Sequence, residues 1–250
     1  MSTTVSRAIE VLRFVGERPR TLTEVAGLIE AHKSTALRLL QTLVAEGFVR
    51  QDATGRYEIG FGLISLAHRS LEQIDVRALA RPHLEALVDQ YGHTVHLAQL
   101  LDDGIRYVDK IEGRGPVAMG SRIGHVVELH TAGVAKAIMA FLDDPARRRL
   151  ERGITFERFT DTTIVTPERL AEDLAVTRTR GWAEDDGEKE DFINCIAVPI
   201  FDGRGRVCAG LSMTALRAVA SLDDLRRLAP MLRQVAATIS RELGWTGEDA

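Results

Sequence analysis

The 250-residue sequence predicts an α+β protein built from two domains. Up to Gly62, short helical patterns separated by turn signals lead into a hairpin pattern. Beyond Asp75, hairpin-connected strands are flanked by helices, which is typical of a mostly antiparallel sheet. The length also suits two modest domains better than one. We place the domains at residues 1–62 and 77–245, joined by a linker helix over residues 63–76.

The composition is that of an ordinary globular chain and excludes several classes of protein. The formal net charge of −4 excludes an overall polycation, so nucleic-acid binding would need a local basic face. The sequence has neither an apolar run of about 18 residues nor a basic N-terminal region followed by an apolar one, so we expect no membrane partner and no secretory signal. Cys195 and Cys208 make no disulfide or zinc pattern, which favours a cytoplasmic protein with reduced thiols.

Periodicity and capping signals predict three helices in the N-terminal domain. Apolar residues recur at helical spacing from Val5 to Val15 and predict the first helix. Thr21, with Glu24 three residues later, has the pattern of a capping box and begins the second. The third contains "HKSTALRLLQTL" and ends at "EGF", where Gly47 is a C-terminal cap.

The segment "FVRQDATGRYEIG" predicts strand, tight turn and strand. Phe48 and Val49 precede the turn "DATGR", and Tyr57 and Ile59 follow it. Three helices followed by this hairpin make a winged helix-turn-helix.

One face of the third helix is polar but contains no acidic residue. At 100° per residue, this face covers about one third of the circumference. It consists of Ser34, Thr35, Arg38, Gln41, Thr42 and Ala45. The opposite side is apolar and wide enough to pack against the first two helices.

A helix that enters the major groove of DNA requires such a face. Acidic side chains would meet phosphate, whereas small hydroxyls let the backbone approach and Arg38 can donate two hydrogen bonds to guanine. Lys33, at the helix start, is placed to meet a phosphate, and Arg56, after the hairpin turn, is placed as a wing contact. The residues predicted to contact double-stranded DNA are Lys33, Ser34, Thr35, Arg38, Gln41, Thr42 and Arg56.

Two other interpretations of this domain stay open. The polar face also suits a small helical subdomain that meets only solvent, because residues up to Gly62 contain eight Lys and Arg against seven Asp and Glu, a weak basic excess. A winged helix can also contact protein as an adaptor. Salt dependence separates these interpretations, since DNA binding through phosphates weakens steeply as salt rises.

Helical and alternating patterns also fill the C-terminal domain. The predicted strands are "TVHLAQLL", "IRYVDKIE", "WAEDD", "NCIAVPIF" and "VCAGLSMT". The predicted helices are "DVRALARPHLEALVDQYG", "TAGVAKAIMAFL", "PERLAEDLAVTRTRG" and "DDLRRLAPMLRQVAATISREL". Pro82 and Pro230 leave open whether the first and last of these helices continue or restart.

Segments in both domains resemble one known family. "KST", "RLL" and "GRY" in the N-terminal domain precede "LARPHLEAL", "TVHLAQL", "GRGPVAMGSRIGHVVELHTAGVAKAIMAF" and "NCIAVPIFDGRGRVCAGLSMT", as in IclR-type transcriptional regulators. The resemblance covers about residues 4–243. It implies an operator-binding winged helix, a GAF-like domain that binds a small-molecule effector, and homodimers that often pair into homotetramers. It further implies a repressor, or alternatively an activator, of a catabolic operon controlled by a small organic acid.

The sequence departs from the family pattern at the bend before the third helix. Glu30 occupies a position that is usually glycine, so the bend is energetically less favourable or is built differently. His32 stands where the family usually has proline, and we include His32 among the predicted DNA contacts because it can point into the groove.

Matching the family motifs to this sequence predicts an effector pocket. The matched residues are Met119, Gly133, Val134, Asp185, Cys195, Ser212 and Thr214. The resemblance implies that Gly133 and Val134 offer backbone N–H groups to an anion and that Asp185 accepts from a ligand donor. Each of these residues also has an alternative role outside a pocket. The Ser212 and Thr214 hydroxyls could have partners within the protein, Cys195 could be a buried structural residue, and Asp185 could pair with an arginine. The expected wall, with Pro116 and Val127, is apolar and favours an acid of more than two carbons.

The register of the last hairpin decides whether Cys195 and Ser212 face the same side. We expect a four-residue loop, "DGRG", which places Phe201 opposite Arg206 and Cys195 opposite Ser212. A five-residue loop without a bulge would send Ser212 to the other face.

The remaining candidates for chemistry are weak. His130 precedes the pocket helix, and we expect it to have a capping or core role. His93 and His96 have no third ligand at metal spacing, so we expect neither a metal nor a cofactor. An enzyme that uses Cys195 as a nucleophile is an alternative, but Cys195 lies in an apolar run with no basic neighbour that would lower its pKa.

Overall fold

The computed structural model describes residues 3–66, 75–102, 104–115 and 120–247. Packing divides the chain into two compact units, Met1–Ile74 and Asp75–Ala250. Residues 61–66 are helical, and residues 63–66 are the first part of the predicted linker, the rest of which lies largely outside the described residues. No helix in the described ranges is long and apolar enough to cross a membrane.

The first unit is a winged helix-turn-helix, as predicted. Its elements are α1 (Thr3–Glu17), α2 (Leu22–Leu28), α3 (Lys33–Ala45), β1 (Val49–Gln51) and β2 (Tyr57–Ile59). The two strands pair antiparallel and form the wing. Apolar residues from all three helices and the wing build its core: Val11, Val15, Val25, Ala26, Ile29, Ala36, Leu40, Leu43, Val49 and Tyr57.

The predicted caps define the ends of these helices. Thr21 and Glu24 form a capping box, in which the Glu24 amide donates to the Thr21 hydroxyl and the Thr21 amide donates to the Glu24 carboxylate. Gly47 ends α3 with a φ of 71°, and the Phe48 N–H donates to the Leu43 carbonyl at 2.8 Å.

The second unit is an α+β domain around one antiparallel sheet, as predicted. Its elements are α4 (Val76–Tyr91), β3 (Thr94–Leu101), β4 (Gly104–Ile111), α5 (Gly133–Met139), α6 (Asp144–Glu151), α7 (Pro167–Arg180), β5 (Ala183–Asp186), β6 (Ile193–Phe201), β7 (Val207–Leu216) and α8 (Leu222–Glu242). The five strands of this sheet lie in the order β4-β3-β7-β6-β5, and each neighbouring pair is antiparallel.

Helix α5 packs closely against this sheet and is buried along its whole length. Gly210 on β7 permits this contact, because a Cβ at that position would lie only 2.9 Å from the Val134 side chain and 3.2 Å from the Val134 carbonyl oxygen. Gly133 likewise brings the start of α5 close to β6, since a Cβ there would lie 3.3 Å from the Cys195 sulfur. The sheet and α5 therefore meet at the residues predicted to form the pocket.

Two features of the helices go beyond the sequence analysis. Helices α4 and α8 continue through Pro82 and Pro230, so neither restarts, although each proline removes one N–H···O bond. Helix α6 was not predicted. Asp143 caps it by accepting a hydrogen bond from the Ala146 amide at 2.8 Å.

The predicted register of the β6–β7 hairpin is wrong by two residues. Cys195 lies opposite Thr214 rather than Ser212. The loop contains the five residues 202–206, and a bulge beside Phe201 shifts the pairing by one further residue. Because two single-residue shifts add to an even number, Cys195 and Ser212 still share a face of the sheet.

Glu30 forms the bend between α2 and α3 in a left-handed conformation, with a φ of 47°. Its N–H donates to the Gly27 carbonyl, and the Ala31 N–H donates to the Ala26 carbonyl at 3.1 Å. These two bonds form the Schellman motif that usually has glycine at this position. The unusual residue is therefore accommodated without changing the bend, at the expense of backbone strain.

We predict that Glu30→Gly stabilises the first unit by about 1 kcal/mol, because glycine adopts positive φ without strain from a Cβ. Amide hydrogen exchange of Val25 and Leu40, which are buried in α2 and α3, measures the change in the intact chain. Glu30→Ala is the matched control: it removes the charge but keeps a Cβ. Equal stabilisation by both variants would contradict the backbone explanation.

Candidate functional site

Helix α3 presents its predicted polar face to solvent. The predicted contacts His32, Lys33, Ser34, Thr35, Arg38, Gln41 and Thr42 are all exposed. The opposite side of the helix is buried through Ala36, Leu40 and Leu43. Among the described residues, neither Lys33 nor Arg38 has an ion-pair partner. This face is therefore available to an external partner.

Two hydroxyls on this face also have internal partners. The His32 ring caps α3: its Nδ1 accepts from the Ser34 amide at 3.3 Å and lies 2.9 Å from the Ser34 hydroxyl. The Thr42 hydroxyl donates to the Arg38 carbonyl at 3.0 Å. On the wing, Arg56 is exposed, with its guanidinium 3.8 Å from the Glu24 carboxylate. An exposed ion pair at that distance is weak, so Arg56 is free to turn toward another anion.

The second unit contains a cavity of about 250 Å³ at the N-terminal end of α5. Five further predicted pocket residues line it beside Gly133: Val134, Asp185, Cys195, Ser212 and Thr214. Met119 lies outside the described residues. One water takes up about 30 Å³ in the liquid, so the cavity has room for a ligand of several non-hydrogen atoms.

The sheet register explains why residues far apart in sequence meet in this cavity. Asp185, Cys195 and Thr214 lie opposite one another on β5, β6 and β7. The next row on the same face pairs His96 of β3 with Ser212 of β7. Side chains alternate along each strand, so these rows point to one side of the sheet.

Asp185 is the buried acidic group of the cavity. One of its carboxylate oxygens accepts a hydrogen bond from the Glu188 amide at 2.7 Å. Burial raises the pKa of Asp185 to about 6, although this hydrogen bond and the Lys136 charge oppose the shift. The other carboxylate oxygen accepts no hydrogen bond from the described residues. It is consequently open to a donor on a ligand.

A buried ion pair supports the loop that follows Asp185. Lys136 of α5 is completely buried, and its Nζ lies 2.5 Å from Glu188 and 3.5 Å from Asp173. Burial would lower the pKa of Lys136, but these two carboxylates, together with Asp185, outweigh burial and raise it. Lys136 therefore stays charged, and its ion pair with Glu188 holds the loop that follows Asp185 against α5.

Sequence reasoning missed much of the cavity wall. The lining residues that were not predicted include His96, Tyr107, Ser121, Arg122, His125, Glu128, Thr131, Lys189 and Glu190. The His96 Nε2 lies 2.7 Å from the Ser121 hydroxyl, and burial together with Lys110 lowers the pKa of His96 to about 3. Alternation along β3 and β4 could have identified His96 and Tyr107 once the register was known.

Polar residues outnumber apolar ones in the cavity wall, contrary to the expectation of an apolar wall. Val127 packs in the core instead of lining the cavity, and Pro116 lies outside the described residues. His130 is a core residue: its Nε2 donates to the Glu157 carbonyl at 2.9 Å, and α5 has no side-chain cap. Burial and the nearby Asp185 charge raise the pKa of Cys195 to about 12, so its thiol is neutral and a poor nucleophile.

Sequence models of two domains match the chain. The IclR helix-turn-helix domain matches residues 4–53, and the C-terminal domain of the bacterial transcriptional regulator IclR matches residues 68–241. The chain belongs to the IclR family of bacterial transcriptional regulators. Regulators of this family are not enzymes, in agreement with the neutral Cys195 thiol.

Individual relatives match across both domains. The HTH-type transcriptional regulator XynR of Escherichia coli is 33% identical over 246 residues, which span 96% of this chain and 97% of that protein. KdgR of the same species is 32% identical over 243 residues, spanning 96% and 92%. The solved structure of the Agobacterium tumefaciens repressor BlcR covers 99% of both chains, with a TM-score of 0.79 and 25% identity. This IclR-family chain is a ligand-responsive, DNA-binding transcriptional regulator.

We predict that Asp185→Asn stabilises the protein near neutral pH. Because burial raises the pKa of Asp185 from 3.8 to about 6, the unfolded chain loses this proton first as pH rises. The wild type therefore loses up to about 2 kcal/mol between about pH 4 and pH 6, and asparagine does not. Urea unfolding followed by fluorescence of Trp182 and Trp245, which both lie in the second unit, measures this difference. Equal stabilisation at about pH 4 and near neutral pH would contradict it.

Proposed function

We propose that this regulator represses a catabolic operon in the cytoplasm by binding double-stranded operator DNA, and that a small organic acid in the cavity changes its DNA affinity. The observation that carries the DNA part is the exposed, acid-free polar face of α3. Two exposed cations, Lys33 and Arg38, lie on this helix without an acidic partner among the described residues. The repressor assignment is further supported by the similarity to the repressor BlcR.

The side chains of the polar face of α3 and of the wing suit different contacts with DNA. Arg38, in the second turn of α3, is long enough to read guanine in the major groove, and the short side chains of Ser34 and Thr35 let the helix approach. Lys33 and Arg56 provide phosphate contacts that fix the orientation of the domain.

We predict that Arg38→Ala weakens operator binding by about tenfold without unfolding the protein, because it removes base contacts from an exposed site. Fluorescence anisotropy with a duplex selected for binding to the wild type measures the loss, and the wild-type affinity should fall steeply with salt. Arg152→Ala, at an exposed position after α6, is the control. Binding that does not weaken with salt would favour the protein-adaptor interpretation, and an equal loss in the control would contradict the role of Arg38.

A homodimer is the assembly that this function requires. The first unit exposes large apolar side chains on α1 and on the helical residues that follow the wing: Val5, Ile9, Phe61, Ile64 and Leu66. Exposed apolar groups of this kind are typical of protein interfaces. A two-fold dimer would read two half-sites about 34–36 Å apart, or a multiple of that distance. Two such dimers could further pair into a homotetramer.

The cavity supports an effector that carries hydrogen-bonding groups. Its inner wall offers the hydroxyls of Ser212 and Thr214 beside the Asp185 carboxylate. An effector changes operator affinity only if it binds one conformation of the protein better than another. We propose that the residues matched to the family motifs, including Gly133 and Val134, provide this binding.

We predict that Ser212→Ala leaves operator affinity in the absence of effector unchanged but reduces the response to organic acids by about fivefold or more, because one buried hydroxyl contact is lost. The measurement titrates hydroxy acids and aromatic acids against the protein–operator complex. Ser240→Ala alters a buried hydroxyl of α8 that bonds to Phe201 away from the cavity and controls for general destabilisation. An unchanged response in Ser212→Ala would remove this residue from the effector site.

A further inference from the structure

We infer that Tyr107 of β4 donates a hydrogen bond from its phenol to a hydroxyl of the effector, at the end of the effector away from its carboxylate. This inference rests on the proposed function of the cavity as an effector site, in which Gly133 and Val134 bind the carboxylate. It gives Tyr107 a role in specificity and names the class of effector, an acid with a hydroxyl several bonds away from its carboxylate.

A bulge in β4 turns the Tyr107 side chain into the cavity. Asp109 lies opposite Leu97 of β3. Tyr107, two residues before Asp109, lies opposite Ala98, so β4 has one extra residue at this point. Because residues opposite one another share a face of the sheet, Tyr107 and Asp109 point to opposite faces. Asp109 is buried and accepts hydrogen bonds from Arg81 of α4 at 2.9 and 3.2 Å, whereas Tyr107 lines the cavity.

The backbone and the ring of Tyr107 are held in place, but its hydroxyl is not. The Tyr107 N–H donates to the His125 carbonyl at 3.1 Å, and the Tyr107 carbonyl accepts from the Gly124 amide at 2.7 Å. The centres of the Tyr107 and His96 rings are 5.2 Å apart. The Tyr107 hydroxyl forms no hydrogen bond with any residue that the structure describes. Tyrosine hydroxyls in protein interiors usually have a partner, so this one is suited to a ligand.

The surroundings of Tyr107 favour a hydroxyl as this partner. Burial, followed by the nearby Cys195, Asp185 and Glu190, raises the pKa of Tyr107 above its ordinary value, so the phenol stays protonated and can donate. Glu190 lines the same cavity, and its carboxylate accepts no hydrogen bond from a side chain in the described ranges. A ligand hydroxyl can accept from Tyr107 and donate to Glu190, whereas a ketone can only accept.

Tyr107 and the start of α5 lie in different parts of the cavity. The start of α5 packs on β6, since a Cβ on Gly133 would lie 3.3 Å from the Cys195 sulfur. Strand β4 is three strands away from β6, which corresponds to about 14 Å across the sheet. The Tyr107 side chain covers only part of this distance. An effector whose carboxylate lies at Gly133 therefore needs a chain of several bonds to bring a hydroxyl to Tyr107.

Isothermal titration calorimetry with three pairs of acids tests the inference. The pairs are 4-hydroxybutyrate with butyrate, 4-hydroxybenzoate with benzoate, and gluconate with 6-deoxygluconate, and the second acid of each pair lacks only the terminal hydroxyl. For the hydroxy acid that binds most tightly, we expect the wild type to bind the deoxy partner at least about fivefold more weakly.

The variant Tyr107→Phe removes the phenol donor and keeps the ring. It should bind the hydroxy acid about fivefold more weakly than the wild type does and the deoxy partner equally well. Its operator affinity in the absence of acid should be unchanged, because the hydroxyl has no partner among the described residues. Tyr91→Phe, the same change at the end of α4 and away from the cavity, should bind both acids like the wild type.

The inference and the proposed function fail in different ways. A wild type that binds none of the six acids overturns the proposed effector class and the inference with it. A wild type that binds both acids of every pair equally well overturns the inference alone. An equal loss of affinity for both acids in Tyr107→Phe, or no loss for either, also overturns the inference alone, because the hydroxyl would then not distinguish them.

Discussion

The effector domain depends on how it accommodates one buried charge. Lys136 is the only charged residue of α5, a helix that is buried along its whole length against the sheet. A buried ammonium without a partner would be strongly destabilising, so the fold has to bring a carboxylate to it. Glu188 meets it at 2.5 Å, with Asp173 as a second acid at 3.5 Å. The position of one lysine thus fixes the path of the loop that contains Glu188.

That loop in turn arranges the cavity. The Glu188 amide holds the Asp185 carboxylate, and the next residue, Lys189, lies at the cavity wall beside Glu190. Thr163 adds a second attachment, because its hydroxyl donates to the Glu188 carbonyl at 2.6 Å. The ion pair therefore acts on the cavity through backbone and loop geometry, without lining the cavity itself.

The sequence could predict features that depend on neighbouring residues. The Thr21 capping box, the Gly47 cap and the polar face of α3 are local patterns, and the structure contains each of them. The predicted β6–β7 register is wrong because the loop has five residues rather than four and because a bulge beside Phe201 leaves no sequence signal that alternation can detect. Arg122 was missed for a related reason: it lies in an irregular segment, where no periodicity indicates which way a side chain points. The cavity residues were predicted from family motifs. The lining residues that were missed are those that only the three-dimensional fold brings to the cavity.

The cavity contains a polar group that lowers the stability of the domain. A buried carboxylate such as Asp185, with one oxygen lacking a hydrogen-bond donor among the described residues, lowers stability near neutral pH. Two residues earlier, the same face of β5 carries the apolar Ala183, so this face of the strand does not require a charge at every position. A ligand donor would offset the desolvation of this oxygen. The lower stability caused by the buried Asp185 carboxylate is therefore explained by its role in selective ligand binding.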